Sequence, residues 1–64
     1  MKFVDFMDLY DNWNGATRVN DNELNPIVEM NTTMLMDLRE NQNLFEKEVV
    51  AFGFYDNVLT VRIK

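Results

Sequence analysis

The reactive side chains of this chain are carboxylates, because its 64 residues include no Cys, no His and no Ser. Catalytic triads and Cys–His pairs are therefore excluded. Two carboxylates can act as general acid and base, but that chemistry requires a cleft that raises the pKa of one of them. A chain this short forms a single-layer core with little concavity. We therefore expect no enzymatic activity.

Two short segments, residues 11–15 and 20–23, carry oxygen ligands of the kind that bind Ca²⁺. A calcium loop requires alternating oxygens, a Gly at its sixth position and a Glu at its twelfth. Residues 20–23 lack that Gly, and residues 11–15 lack the alternation. Asx turns and a helix stop account for both segments. Gly15 and Gly53 are too far apart for a phosphate-binding loop, so we expect no metal ion and no cofactor.

The net charge of −5 lies entirely in residues 1–37, which hold seven Asp and Glu residues against two Lys and Arg residues. Residues 38–64 hold four of each. The phosphate backbone of a nucleic acid repels such a surface, and the sequence has no basic stripe to offset the repulsion. We expect no direct binding of nucleic acid.

Three aspartates recur every three residues near the N-terminus, at Asp5, Asp8 and Asp11. Like charges at this spacing on a helix repel each other by a few tenths of a kcal/mol, so the stripe suggests a binding role. With the acidic residues that follow, it would offer an acidic surface to a protein partner with a basic surface. The candidate partner-binding residues are Asp5, Asp8, Asp11, Asp21, Glu23 and Glu29. The alternative is a solvated helix face without a partner.

The apolar runs are only a few residues long, as at residues 34–36, which is too short to span a membrane. A carboxylate occurs already at Asp5, where a signal peptide needs its apolar stretch. We expect a cytoplasmic protein that does not bind membranes.

The first segment has the periodicity of an amphipathic helix. Its apolar residues follow the i, i+3, i+4, i+7 pattern. They are Phe3, Phe6, Met7, Tyr10 and Trp13, with Leu9 at the edge of the stripe. Asn14 and Gly15 then provide a left-handed stop. We predict a helix from Phe3 to Trp13 whose apolar stripe faces the core.

The middle of the chain is predicted to form two short strands joined by a turn. Residues 16–20 place Thr17 and Val19 on one face of a strand, and residues 20–23 are rich in turn-forming Asn and Asp. Residues 27–30 resume an extended pattern. Pro26 cannot donate a ladder hydrogen bond, which indicates an edge strand or its first residue.

A short helical turn is predicted next. Thr32 or Thr33 would cap it, and it would run through residues 34–38. Residues 39–43 are polar and are predicted to form a loop.

The C-terminal segment predicts a β-hairpin with Asp56 and Asn57 as a two-residue turn. Apolar residues alternate on both arms, as Val50, Phe52 and Phe54 and then Leu59, Val61 and Ile63. This turn sets Tyr55 opposite Val58, Phe54 opposite Leu59, Phe52 opposite Val61 and Val50 opposite Ile63. Directly opposed residues share a face, so all six large apolar side chains fall on one side of the hairpin.

These elements predict a single α+β domain over residues 1–64, with the N-terminal amphipathic helix packed on a small antiparallel sheet of three to four strands. The other sheet face would carry Val49, Tyr55 and Val58, an apolar patch and an alternative interface. The alternative is that residues 34–38, or Leu44 and Phe45, cover this patch.

The order of elements resembles short acidic proteins encoded by phages and mobile elements of Gram-positive bacteria. The resemblance lies in an opening amphipathic helix, an Asn- and Asp-rich hairpin and a Val-rich hairpin. The matching stretches are residues 8–13, 19–22 and 49–57. Such proteins are mostly of unassigned function, and the resemblance carries over no site residues. It implies a context in which small proteins inhibit host enzymes or defence systems, with anti-CRISPR proteins among them, in the host cytoplasm.

We therefore expect a non-enzymatic protein-interaction module that inhibits a host nucleic-acid-handling or defence protein through its acidic surface. The alternative is a self-associating structural or accessory protein, a homodimer that pairs through the sheet face or an edge strand. A small enzyme or a metal-binding protein is a third and weaker hypothesis.

Overall fold

A computed structural model describes residues 1–10 and 14–64 of the chain. The elements are α1 (Phe3–Leu9), β1 (Ala16–Asn20), β2 (Pro26–Asn31), α2 (Leu35–Glu40), a 3₁₀ turn (Gln42–Leu44), β3 (Val49–Tyr55) and β4 (Val58–Ile63). This order confirms the predicted α+β fold, with an N-terminal helix packed on a sheet that ends in a hairpin.

The four strands form one sheet in the order β2-β1-β4-β3. The hairpin neighbours pair antiparallel, but β1 and β4 pair parallel, with Thr17 opposite Leu59 and Val19 opposite Val61. The sheet is therefore mixed, whereas the sequence predicted an antiparallel sheet. After β2 the chain crosses to the far edge to form β3, so β4 returns to the centre beside β1 and runs in the same direction.

The core lies between α1 and one face of the sheet. Its buried apolar residues are Phe3, Phe6, Val19, Met30, Leu44, Leu59, Val61 and Ile63. The predicted shared face of Thr17 and Val19 is confirmed, since both side chains are fully buried. The helix stripe is confirmed for its described members, because Met7 and Tyr10 pack at the border of the core. Trp13 lies outside the described residues.

Helix α1 is shorter than predicted. It ends at Leu9, and Tyr10 is extended, with φ −101° and ψ 118°. Leaving the helix there lets the ring of Tyr10 stack on Phe6, with 5.6 Å between the ring centroids. Gly15 has the left-handed conformation predicted for it, with φ 68°, but it lies beyond the helix end.

The start of α1 is tied to the segment before β3 by backbone hydrogen bonds. The N–H of Phe3 donates to the carbonyl of Lys47 at 2.8 Å, and the N–H of Val49 donates to the carbonyl of Met1 at 2.8 Å. Lys2 also forms an ion pair with Glu46 at 2.7 Å, and this carboxylate raises the pKa of the Lys2 ammonium group. These contacts fix where α1 crosses the sheet.

The predicted helical turn exists as α2, but two details were wrong. Met34 and not a threonine is the N-cap residue, and it makes no side-chain capping bond. Thr33 instead donates from its hydroxyl to Oδ1 of Asn31 at 2.6 Å. The predicted loop at residues 39–43 is largely helical, because α2 continues to Glu40 and a 3₁₀ turn follows. That turn buries Leu44 in the core, which explains why this polar stretch is not a loop.

The C-terminal hairpin confirms the predicted turn. Asp56 and Asn57 have φ 54° and 63°, as a type I′ turn requires. Three predicted pairs are confirmed, namely Tyr55–Val58, Phe54–Leu59 and Phe52–Val61. The fourth was wrong, because an irregularity at Val50 sets Val49 opposite Ile63. A bulge of this kind shifts the pairing beyond it by one residue.

Truncation of Phe3 tests whether the docking of α1 holds the fold together. Because Phe3 is fully buried, we expect Phe3→Ala to lower the free energy of unfolding by about 3–5 kcal/mol. Leu9 is 73% exposed on the same helix, so Leu9→Ala should change it by less than about 0.5 kcal/mol. Urea unfolding followed by circular dichroism measures both variants. Equal losses in the two variants would contradict this packing.

Candidate interaction surface

The acidic residues near the N-terminus are only partly described by the structure. Asp5 and Asp8 lie on α1 and are exposed, and Asp11 lies outside the described residues. Asp8 also lines a cleft between α1 and α2. The predicted acidic stripe is thus represented here by two exposed carboxylates.

Asp21 holds the turn between β1 and β2 together. Its Oδ1 accepts hydrogen bonds from the N–H of Glu23 at 2.8 Å and from the N–H of Asn25 at 2.9 Å. The backbone hydrogen bond from Asn25, with a further one from Glu23, lowers the pKa of the Asp21 carboxyl group. This carboxylate therefore has a structural role in an Asx-type turn.

Glu29 lies on the sheet face that α1 does not cover. It is opposite Arg18 in the β1–β2 ladder, and its Oε2 is 3.7 Å from Nε of Arg18. Its neighbour Met30 points the other way, into the core. Glu29 and the described aspartates of α1, Asp5 and Asp8, therefore lie on opposite sides of the sheet.

We name the face of the sheet opposite α1 the open face. It carries two of the three residues of the alternative interface, Tyr55 and Val58. Tyr55 is 63% exposed there, and Val58 is its cross-strand neighbour. Val49 was wrongly placed on this face, because the irregularity at Val50 turns it toward the core. The predicted covers were also wrong, since Leu44 is buried in the core on the α1 side, and Leu35 and Leu38 line the cleft beside α1.

The open face also holds two polar atoms that are buried without a hydrogen-bond partner, Oδ1 of Asn20 and Nε of Arg62. These residues are opposite each other in the parallel β1–β4 ladder. A shallow depression of about 90 Å³ lies beside them. Its size is far below that of a typical small-molecule site.

On the α1 side of the sheet, four aromatic rings form a cluster at the outer strand β3. This aromatic cluster consists of Phe6, Tyr10, Phe52 and Phe54. The ring centroids of Phe6 and Phe52 are 4.8 Å apart, and the ring of Tyr10 lies 6.0 Å from Phe52 and 5.9 Å from Phe54. Phe6 is buried, but Phe52 is 57% exposed and Phe54 is 51% exposed. About half of the surface of each of these two residues therefore remains accessible to water.

Phe52 and Phe54 also present their backbone groups at the edge of the sheet. Tyr55 and Val58 flank a two-residue turn, so they form a hydrogen-bonded pair, and such pairs alternate along an antiparallel ladder. Tyr55 and Gly53 therefore bond to β4. The N–H and C=O groups of Phe52 and Phe54 point away from β4, where no further strand pairs within the described part of the chain.

The opposite edge of the sheet, strand β2, is protected against further pairing. Pro26 at its start has no N–H to donate, and the ladder is irregular at Val19 and Asn20. At its end, the N–H of Asn31 donates to Oδ2 of Asp37 at 2.8 Å, so a side chain of α2 occupies that edge position. Natural sheets use such devices to block edge-to-edge association. Residues 51–55 of β3 include no Pro and no charged side chain.

The cleft between α1 and α2 has a volume of about 480 Å³. Its apolar lining is Val4, Met7, Tyr10, Leu35, Leu38 and Phe45, and its polar lining is Asp8, Thr32, Thr33, Arg39 and Gln42. The volume falls within the range of small-molecule sites. The two charged side chains are of opposite sign, so the lining favours no particular ligand charge.

Residues 1–10 and 14–64 contain no group of three or more acidic side chains placed to hold a metal ion. None of the helices in these ranges is long and apolar enough to cross a membrane. Comparison of the chain with protein-family models, curated proteins and solved structures gives no match. The resemblance to phage and mobile-element proteins therefore stays a prediction.

The candidate surface that sequence reasoning missed is the edge of β3. Alternation on the hairpin correctly placed Phe52 and Phe54 on the core side, but it did not reveal that β3 is an outer strand. The signal in the sequence was the contrast between the two candidate edges, since residues 51–55 carry no charge while β2 carries Pro26 and Glu29.

The role of Asp21 predicts a pH dependence of stability. Because the folded-state pKa lies below the ordinary value of about 3.9, its contribution is complete above that value and is lost as the pH falls through the lowered pKa. We expect this part of the acid destabilisation to be missing in Asp21→Asn, whose amide oxygen can accept the two backbone hydrogen bonds without titrating. Urea unfolding of both proteins between about pH 2 and pH 6 measures it. Identical pH profiles would contradict the assignment.

Proposed function

We propose that the chain is a non-enzymatic protein-interaction module that binds an extended protein segment by strand addition to β3. The observation that carries this proposal is the asymmetry of the sheet. One edge is interrupted by Pro26 and by the bond from Asn31 to Asp37 and carries the charged Glu29, and the other presents outward backbone groups at the uncharged Phe52 and Phe54. In strand addition, backbone hydrogen bonds supply affinity, and pockets for alternate side chains supply specificity.

The aromatic cluster supports the same proposal. A strand added beside β3 would place every second side chain on the α1 side, against the exposed halves of Phe52 and Phe54. Aromatic side chains at the centre of an interface contribute strongly to binding, because each buries a large area with few rotatable bonds. Phe52 and Phe54 therefore offer an added strand both backbone hydrogen-bonding groups and apolar area.

The hypothesis of a phage-type inhibitor, comparable to anti-CRISPR proteins, has less support in the geometry. It places binding on an acidic surface, but Glu29 is paired with Arg18 and Asp21 belongs to a turn. Asp5 and Asp8 remain as exposed carboxylates that would attract a partner with a basic surface. We retain this version as an alternative that the same experiment tests.

Affinity capture with matched variants tests the proposal. Tagged wild type, Phe52→Lys, Tyr55→Lys and an Asp5→Asn/Asp8→Asn double variant are exposed to a lysate of cells that make the untagged chain, and captured proteins are identified by mass spectrometry. Phe52→Lys places a charge among the rings that an added strand would cover, and such a charge opposes strand pairing, whereas Tyr55 points to the open face. Phe52→Lys should lose at least ten times more captured protein than Tyr55→Lys, which changes a more exposed residue of the same strand.

The comparison separates the two versions of the function. Capture that is lost in Phe52→Lys and kept in the double Asn variant supports strand addition. Loss in the double Asn variant alone would support the acidic surface instead. Equal capture by Phe52→Lys and Tyr55→Lys would contradict the proposal, and near-ultraviolet circular dichroism confirms that each variant folds.

A further inference from the structure

We infer that the strand added to β3 is β3 of a second copy of this chain, antiparallel and centred on Gly53, so that the chain forms a symmetric dimer. This inference rests on the proposed function, since it names the partner of the same edge. Three properties of the edge argue for a second copy, and they are the symmetry of its sequence, its side-chain packing and its charge.

The usable edge is symmetric about Gly53. It is bounded by the irregularity at Val50 and by the turn that begins at Asp56. Between these limits lie residues 51–55, and Gly53 is their midpoint, with Phe52 and Phe54 on either side. A two-fold axis at the midpoint of an antiparallel pair makes a self-complementary interface.

Centring on Gly53 satisfies the outward backbone groups. It sets Phe52 opposite Phe54 of the second copy, and Phe54 opposite Phe52 of the second copy. Because both residues direct N–H and C=O groups outward, each pair exchanges two hydrogen bonds. The central pair joins the two copies of Gly53 and is not hydrogen-bonded, so the backbones approach most closely there, about 4.5 Å between Cα atoms.

The same register brings the exposed rings together. Directly opposed residues share a face of the sheet, so all four phenylalanine rings lie on the α1 side. Half-exposed rings of this kind each contribute roughly 100 Å² of apolar area to the interface. Four rings therefore supply about a third of the area of a small stable interface of about 1,200 Å². A register centred on Phe52 would replace these two aromatic pairs by one.

The charge pattern of the edge also fits a second copy. The net charge of −5 opposes association of two copies, but residues 51–55 are uncharged. Asp56, the carboxylate nearest to this stretch, would be opposite Val50 of the second copy and not opposite another acid. Charges that lie farther apart than about 8–10 Å are largely screened at physiological ionic strength.

Single cysteines test this register, because the chain has no Cys of its own. Gly53, Ala51 and Tyr55 share the open face of β3. In the inferred dimer the two copies of residue 53 lie within disulfide reach, whereas the two copies of residue 51 are about 14 Å apart. Gly53→Cys should therefore oxidise to a linked dimer at least ten times faster than Ala51→Cys or Tyr55→Cys. A mixture of Ala51→Cys and Tyr55→Cys should cross-link between the two variants.

The variant Gly53→Cys is compatible with the fold. A Cβ at Gly53 would lie 3.3 Å from Cε2 of Tyr55, and this exposed ring can move aside. Near-ultraviolet circular dichroism of the reduced variant checks folding. Sedimentation equilibrium of the wild type from 5 to about 500 μM gives an independent readout, and we expect a dimer with a Kd in the micromolar range that Phe52→Lys abolishes.

Three outcomes would overturn the inference. They are a wild type that stays monomeric up to 500 μM, cross-linking of Ala51→Cys as fast as Gly53→Cys, and a dimer that Phe52→Lys does not weaken. A monomeric wild type whose capture of a different protein is lost in Phe52→Lys would overturn only this inference and leave strand addition in place. A monomer that captures nothing at the edge would overturn both.

Discussion

The fold depends on the parallel pairing of β1 with β4 beneath α1. This pairing puts Thr17, Val19, Leu59 and Val61 in the middle of the molecule, where all four are buried. A helix is about 10 Å wide, and strands lie about 4.8 Å apart. Helix α1, with seven residues, therefore covers about two strands of a four-stranded sheet. The helix covers the two central strands, and it covers Phe52 and Phe54 on β3 only in part.

The two edge strands meet this constraint differently. The segment after β2 folds back as α2, and Asp37 on this helix accepts a hydrogen bond from the backbone N–H of Asn31. The second helix therefore occupies part of that edge. On the other side, Met1 reaches the start of β3, where its carbonyl accepts a hydrogen bond from the N–H of Val49. The rest of the strand combines exposed aromatic area with outward backbone groups. The exposure of this edge thus follows from how little of the sheet the seven residues of α1 can cover.

Local chemistry in the sequence predicted the elements well. Periodicity identified the α1 stripe, and the turn at Asp56 and Asn57 fixed three of the four hairpin pairs. Local patterns in the sequence could not predict the order of the strands, because no turn residue indicates that β4 lies beside β1. The helix end at Tyr10 and the irregularity at Val50 depend on packing between distant segments. The same limit applies to the acidic residues. Alternation in β2 places Glu29 on the face opposite α1, but this separation becomes apparent only when the strand order is known.

The central claim is that the chain binds through the edge of β3, and amide hydrogen exchange along this strand tests it most directly. Exchange at Phe52, Gly53, Phe54 and Tyr55 is measured by NMR in dilute and in concentrated wild-type protein. In dilute protein, Phe52 and Phe54 should exchange at least ten times faster than Gly53 and Tyr55, and only these two amides should become protected as concentration rises. Slow exchange at Phe52 and Phe54 in the dilute protein would contradict the account of the edge. Rates that do not change with concentration would contradict the pairing of two copies.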